Sequence, residues 1–142
     1  MDKIHGTCVS IGSTGVLIRG PSGAGKSDLA LRLIDHGAVL VSDDYCVVEK
    51  KNGAVVLSAP ASIAGQMEVR GLGIVRLPHR RASTLGLIVD LATPAPVERL
   101  PEKTKEDFFG ASIRWMCLDP THASSAAKIR LAVADLGTQA HD

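Results

Sequence analysis

Residues 20–27 read Gly20-Pro21-Ser22-Gly23-Ala24-Gly25-Lys26-Ser27, which satisfies the pattern G-x-x-x-x-G-K-[ST] in full. The stretch follows Val16-Leu17-Ile18, which predicts a strand, and opens a helical pattern. Glycines let backbone N–H groups point inward at phosphate oxygens, and the helix N-terminus adds its dipole. The sequence therefore predicts a nucleotide phosphate loop, with the Lys26 ammonium on the β- and γ-phosphates and the Ser27 hydroxyl on Mg²⁺.

Short strands and two helices are predicted around this loop. Apolar runs indicate strands at His5–Val9, Val16–Ile18, Ala38–Val41, Cys46–Val48, Ala54–Leu57 and Leu85–Leu91. The first two strands should form a hairpin, and Asn52-Gly53 predicts another. The helices are expected over Lys26–His36 and Ala123–Leu136, ending at Gly37 and Gly137. This order predicts an α/β domain with a mixed β-sheet and flanking helices.

Composition limits the classes of function. The 142 residues are enough for one domain, and 45% hydrophobic residues argue against disorder. A net charge of +1 and 3% aromatic residues give no footprint for nucleic acid or an anionic membrane. No signal peptide or apolar stretch of about 18 residues occurs. The three cysteines lack a CxxC pair, so we expect free thiols and a cytoplasmic protein.

Acidic residues follow two of the predicted strands. Asp43-Asp44 comes directly after Val41-Ser42, at the strand end that a βαβ unit delivers beside the phosphate loop. Asp90 follows Leu87-Ile88-Val89 in the same way and is a rival metal ligand. A nucleotide site needs a carboxylate for the metal, and a phosphotransferase needs a base for the accepting hydroxyl. Periodicity alone leaves these carboxylates as alternatives.

The run Glu68-Val69-Arg70-Gly71-Leu72-Gly73-Ile74 is a further candidate site. On a strand, Glu68 and Arg70 would project to one face while Val69 enters the core. A carboxylate beside a guanidinium can serve a metal and a transferring phosphoryl group, or form a structural ion pair. His5, followed by Gly6, is ambiguous by itself.

Together these motifs closely resemble the C-terminal catalytic domain of the bacterial HPr kinase/phosphorylase family. The order is His5-Gly6, then residues 20–27, then Asp43-Asp44, then the 68–74 run, which is the specific family signature. The resemblance covers about residues 3–100. It implies an ATP- and Mg²⁺-dependent serine kinase acting on an HPr-like phosphocarrier of the sugar phosphotransferase system. It also implies a fold similar to phosphoenolpyruvate carboxykinases, and a homo-oligomer, typically a hexamer.

The resemblance also implies residue roles. Lys26 is expected to bind phosphate, and Asp43 to act as the general base with His5 as its close neighbour. Ser27, Glu68 and Asp44 are expected around the metal, and Arg70 to stabilise transferred charge. On this interpretation, Asp90 is not catalytic.

Two departures from the family pattern bear on activity. We expect residues 1–142 to be a single catalytic domain without the family's N-terminal domain. Leu118–Lys128 lacks the arginine pair of the family's basic loop, so phosphorylase activity is doubtful. Two alternatives stay open: a small-molecule kinase or nucleoside triphosphatase with Asp90 on the metal, and a non-catalytic ATP-sensing module.

Overall fold

The computed structural model describes residues 2–93, 95 and 101–139. The helices in this part of the chain are α1 (Lys26–Asp35) and α2 (Ser125–Gln139), with one 3-10 turn at Ala61–Ile63. The strands are β1 (Asp2–His5), β2 (Thr7–Ile11), β3 (Thr14–Arg19), β4 (Val39–Ser42), β5 (Tyr45–Lys51), β6 (Ala54–Ser58), β7 (Gln66–Val69), β8 (Gly73–Arg76), β9 (Ala82–Leu91), β10 (Lys105–Phe108) and β11 (Ala111–Leu118).

The ten-residue strand β9 organises a curled, mixed sheet. It pairs in parallel with β3 and β11, while its first residues pair antiparallel with β6. Beyond β3 come β2 and then β4, and beyond β6 come β5 and β1. Strand β2 is antiparallel to both β3 and β4, so β3 and β4 run in the same direction. Their carboxyl ends therefore meet at one edge of the sheet, as predicted.

The sheet separates two apolar cores. Helices α1 and α2 cover one face, where Leu29, Leu33 and Ile129 pack on strand residues. The other face is covered by the curled β5–β6 portion, whose buried residues Val48 and Leu57 join a second cluster. Because side chains alternate along a strand, neighbouring residues of β3 and β9 belong to different cores. The face on which a strand residue lies therefore decides whether it can reach the helix side.

Helix α1 ends as the sequence predicted. Gly37 has a left-handed φ of 103°, and its N–H donates to the Ile34 carbonyl at 3.0 Å. The next N–H, of Ala38, donates to the Leu33 carbonyl at 3.1 Å. These two bonds form a Schellman motif, which satisfies carbonyls that the helix leaves free. The chain can then turn directly into β4.

The predicted strand His5–Val9 is wrong as a single element. The chain divides at Gly6, since β1 pairs with β5 whereas β2 pairs with β3 and β4. A Cβ at Gly6 would lie 2.8 Å from Leu17 Cδ1 and 3.2 Å from the Ile18 carbonyl oxygen. A side chain here would crowd the Ile18 carbonyl and the buried Leu17 side chain, so glycine suits the point where the chain passes from β1 to β2.

Other differences concern the second half of the chain. Helix α2 passes through Gly137 instead of ending there, since a helical glycine costs only about 1 kcal/mol relative to alanine. Strands β8, β10 and β11 were not predicted. The hairpin turn at Asn52-Gly53 is confirmed. Within the described residues, neither helix combines the length and apolar character that crossing a membrane requires.

Candidate active site

The phosphate loop connects β3 to α1 at the carboxyl edge of the sheet. Gly23 and Gly25 have left-handed φ values of 81° and 101°, and α1 begins directly after Gly25. Lys26 is nearly buried, and its Nζ donates to the carbonyls of Gly20 at 2.8 Å and Pro21 at 3.1 Å. The ammonium therefore lies across the base of its own loop. This geometry fits a phosphate ligand because the curled glycine backbone and the lysine charge both lie at the N-terminus of α1.

Asp43 lies beneath the phosphate loop, at the end of β4, and its side chain is buried. Its Oδ1 accepts hydrogen bonds from Ser27 Oγ at 2.7 Å and from Thr7 Oγ1 at 3.0 Å. Its Oδ2 accepts the backbone N–H of Glu68 at 3.2 Å. Three donors from three different elements thus hold one carboxylate. A buried carboxylate needs such partners, because desolvation without them is costly.

Asp44 points in a different direction from Asp43. It has a left-handed φ of 73°, and its side chain is 61% exposed. Its Oδ1 lies 3.1 Å from His5 Nε2, and the His5 ring also packs against Tyr45. The resemblance implies that His5 neighbours Asp43, and in the structure the carboxylate that His5 contacts is that of the adjacent Asp44. The cause is the left-handed turn at Asp44, which redirects this side chain toward the end of β1.

The hairpin of β7 and β8 supplies the opposite wall. Glu68 lies on β7, which ends at Val69. Arg70 therefore belongs to the following turn, whereas the sequence pattern placed it on the same strand face as Glu68. Val69 packs against the helix-side core, as predicted. The backbone bond from Glu68 to Asp43 fixes the hairpin against β4.

These elements enclose a cleft of about 580 Å³, here called the phosphate-loop cleft. Its lining comes from the loop, the first turns of α1, the end of β4 and the β7–β8 hairpin, namely Ser22, Gly23, Gly25, Lys26, Ser27, Asp28, Leu31, Asp44, Glu68, Val69 and Arg70. The structure thus brings most sequence-predicted site residues to one cleft. Asp43 and His5 are not part of the lining, but each contacts a lining residue, Ser27 and Asp44 respectively.

The donor set suits Mg²⁺ bound together with a nucleotide. Within the described residues, no group of three or more His, Cys, Asp or Glu side chains is arranged to hold a metal alone. Mg²⁺ prefers one or two carboxylates plus substrate phosphates and water, and does not need an all-protein cage. The Ser27 hydroxyl with a carboxylate behind it at 2.7 Å matches that preference.

Asp90 does not take part in the phosphate-loop cleft. Arg19 donates to both of its oxygens at 2.7 Å, and Trp115 Nε1 donates to Oδ2 at 2.8 Å. Burial alone raises the pKa of this carboxyl, but the bonds from Arg19 and Trp115 outweigh it and hold the pKa below its usual range. By strand alternation Asp90 projects with Ile88, away from α1. Its charge is already matched, which disfavours it as a metal ligand.

Thr7 was not singled out from the sequence. It is fully buried at the start of β2, and its hydroxyl contacts both acidic residues at the end of β4. A lone threonine in an apolar strand carries no local signal, because its partners lie 36 and 37 positions away.

Comparison with known proteins identifies the family of this chain. Residues 1–135 match the family described as the HPr Serine kinase C-terminal domain. The chain belongs to this family. The HPr kinase/phosphorylase of Clostridium tetani is 39% identical over 105 residues, which is 74% of this chain and 33% of that protein. That of Geobacter sulfurreducens is 38% identical over 103 residues, or 67% of this chain and 32% of the relative.

The HPr serine kinase fold is also seen in a solved structure. The Hpr(Ser) kinase/phosphatase from Coxiella burnetii superposes with a TM-score of 0.86 at 23% identity, covering all of both chains. This likeness confirms the expected α/β fold with a mixed β-sheet. The chain spans about a third of the length of the curated relatives it matches.

Proposed function

We propose that this chain is an ATP- and Mg²⁺-dependent serine kinase that phosphorylates an HPr-like phosphocarrier protein. The proposal rests on one observation: two adjacent carboxylates beside a phosphate loop point in different directions. Asp43 is bound to the loop serine, whereas Asp44 faces the open cleft with an imidazole behind it. A metal-side group and an acceptor-side base are the two acidic functions that phosphoryl transfer to a hydroxyl requires.

We assign the metal side to Ser27, Asp43 and Glu68. In phosphate-loop enzymes Mg²⁺ is held by the loop serine or threonine and a second acidic residue. The 2.7 Å bond between Ser27 Oγ and Asp43 supports that pairing. When bound, Mg-ATP supplies the γ-phosphoryl group and neutralises charge that develops on its oxygens.

We assign the general base to Asp44 and not to Asp43, which exchanges the roles expected from the sequence. Asp43 Oδ1 already accepts two hydrogen bonds and is not part of the cleft lining, so an incoming hydroxyl has poor access to it. Asp44 is exposed and lines the cleft. His5 holds Asp44 Oδ1 at 3.1 Å and leaves Oδ2 to take a serine proton.

Two cations would stabilise the transferring group. Lys26 lies at the base of the phosphate loop, and Arg70 lines the same cleft from the hairpin turn. Charges that are in place before the reaction cost little reorganisation during transfer.

The phosphorylase direction is proposed to be weak. The residues after β11 fold into a turn held by Asp119, whose Oδ1 accepts the Thr121 N–H at 2.9 Å. Arg32 ties this turn to α1 through the Pro120 carbonyl at 2.6 Å. Lys128 is exposed on α2, so it offers one flexible charge and no bidentate fork for free phosphate. We further propose a cytoplasmic homo-oligomer, a hexamer as in the family.

A transfer assay tests the function. Purified protein is incubated with γ-labelled ATP and Mg²⁺, with and without HPr, and label on an HPr serine is expected. The matched acceptor control is HPr with that serine replaced by alanine. Label released as phosphate regardless of HPr would favour a nucleoside triphosphatase, and nucleotide binding without turnover would favour an ATP-sensing module.

A further inference from the structure

The hydroxyl of Thr7 touches both acidic residues of the candidate site. Thr7 is 0% exposed, and its Oγ1 donates to Asp43 Oδ1 at 3.0 Å. The same oxygen accepts the backbone N–H of Asp44 at 3.3 Å. A hydroxyl has one proton to donate and lone pairs to accept, so both bonds form together. One buried group on β2 therefore joins the side chain of one carboxylate residue to the backbone of the next.

The first bond restricts Asp43. Its Oδ1 receives Thr7 and Ser27, and its Oδ2 receives the Glu68 N–H. Of these partners, Ser27 is the one whose oxygen must also serve a metal. Thr7 also donates to Asp43 but is not assigned to the metal, so its hydrogen bond can hold the carboxylate in place while Ser27 binds the metal.

The second bond restricts Asp44. A left-handed φ of 73° is uncommon for a residue with a side chain and is disfavoured without local support. Both backbone polar groups of Asp44 are held, its N–H by Thr7 Oγ1 and its carbonyl by the Gly6 N–H at 2.8 Å. This backbone turn is what directs the Asp44 carboxylate to His5 and the cleft.

We propose that Thr7 is a positioning residue that keeps Asp43 under the phosphate loop and turns Asp44 into the cleft. It touches neither nucleotide nor acceptor, and acts through the two carboxylates. Its kinetic consequence rests on the proposed kinase function, whereas its effect on metal binding does not.

The test compares Thr7→Val with Thr7→Ser. Valine keeps the shape and removes the hydroxyl, while serine keeps the hydroxyl. For Thr7→Val we expect kcat to fall about 10- to 100-fold, the range that misplaced catalytic groups produce, with little change in the KM for HPr. Thr7→Ser should restore kcat to within about threefold of the parent protein, because the positioning hydroxyl is present.

Ser10→Ala is the matched control for lost stability. Ser10 is a buried hydroxyl on the same strand, donates to the Gly12 carbonyl at 2.8 Å and is not part of the cleft lining. It should lower Tm without lowering kcat. Unchanged kcat in Thr7→Val, equal losses in Thr7→Val and Thr7→Ser, or equal losses in Ser10→Ala would each overturn the proposal. If Thr7→Val does not fold, Thr7→Cys, a poor hydrogen-bond donor of similar size, takes its place with the same expectations.

A binding measurement separates this proposal from the kinase assignment. Mg²⁺ is titrated calorimetrically into protein loaded with a non-hydrolysable ATP analogue, without HPr. Severalfold weaker Mg²⁺ binding in Thr7→Val but not in Thr7→Ser supports the positioning role even if HPr is never labelled. Equal Mg²⁺ affinity in all three proteins overturns it, whatever the transfer assay gives.

Discussion

Neighbouring residues in this chain have very different surroundings. Asp43 is buried and bound by three donors, while Asp44 is exposed and bound to His5. Strand alternation predicts that the two side chains point apart, but not which one reaches the cleft. The left-handed φ of Asp44 decides this, and it depends on Gly6 and Thr7.

Asparagine substitutions test the two roles. Asp44→Asn should leave Mg-ATP binding intact and lower phosphoryl transfer by about 10²–10⁴-fold, since the usual contribution of a general base is lost. Asp43→Asn should instead weaken Mg²⁺-dependent nucleotide binding. Asp90→Asn is the control, and should change transfer little. Binding is measured by calorimetry and transfer by labelled ATP.

The reverse pattern would reject the assignment. If Asp43→Asn binds Mg-ATP normally but transfers nothing, while Asp44→Asn binds poorly, the roles are those expected from the sequence. If Asp90→Asn alone abolishes metal-dependent turnover, the small-molecule kinase alternative gains support.

At the scale of elements, two glycines that each follow a predicted helix differ in whether they end it. Both Gly37 and Gly137 were expected to end helices. Gly37 does so with a φ of 103°, whereas Gly137 lies inside α2, which continues to Gln139. An added methyl group meets no neighbouring atom within 4 Å at either position, so backbone conformation alone should decide the outcome.

Alanine at each position measures this difference. Gly37→Ala should lower the free energy of unfolding by about 1–2 kcal/mol, because alanine is strained in the left-handed region. Gly137→Ala should raise it by about 0.5–1 kcal/mol, because alanine favours helix. Urea unfolding followed by circular dichroism measures both. Equal effects of the same sign would mean that α2 ends at Gly137 in solution.

Arg19 joins three strands at the end of β3. Its guanidinium bonds Asp90 on β9 at 2.7 Å and Glu106 on β10 at 2.8 and 2.9 Å. Hydrogen bonds from Arg19 are the main reason that the pKa of Glu106 lies below its usual range, and they help to lower that of Asp90. The network lies immediately before the phosphate loop and fixes the strand that carries it.

The network predicts an acid-dependent stability. Because both carboxyl pKa values are lower in the folded protein than in the unfolded chain, the stabilisation is complete at neutral pH. It is lost as pH falls from about 5 through the folded pKa values. Arg19→Met should lower the free energy of unfolding at pH 7 by about 1–3 kcal/mol, the cost of unpaired polar groups. The difference in free energy of unfolding between Arg19→Met and the parent protein should become smaller by about pH 3. A difference in unfolding free energy that does not change with pH would show that Arg19 acts only through packing.

At the scale of the whole molecule, the proposed kinase function predicts a preferred direction of phosphoryl transfer. Phosphorolysis brings free phosphate in line with phosphoserine, forming pyrophosphate and serine, so two anions must be held together. Arg32 of α1 is hydrogen-bonded to the turn after β11. The sequence between Leu118 and Lys128 contains no arginine that could bind the second anion. We expect kinase turnover to exceed pyrophosphate release from serine-phosphorylated HPr at millimolar phosphate. Comparable rates would contradict this prediction and show that residues outside this turn supply the charge.

The local features of the chain were readable from its sequence. The phosphate loop, the end of α1 at Gly37 and the turn at Asn52-Gly53 depend on a few adjacent residues, so their patterns are sufficient. The signature run also predicted that Glu68 and Arg70 would serve one site, and both line the cleft. Strands β10 and β11 pair with each other across a short turn, but the charged run Lys105-Glu106-Asp107 lacks the apolar pattern from which the other strands were predicted.

Contacts between distant segments were decided only by the tertiary structure. His5 meets Asp44 across 39 positions, Thr7 meets Asp43 across 36, and Arg19 meets Asp90 across 71. Each pair depends on which strands are neighbours and which face a side chain takes. The sequence determined that two carboxylates follow β4. Their division into a buried one and an exposed one accompanies the left-handed backbone of Asp44, which is held by the Gly6 N–H and the Thr7 hydroxyl.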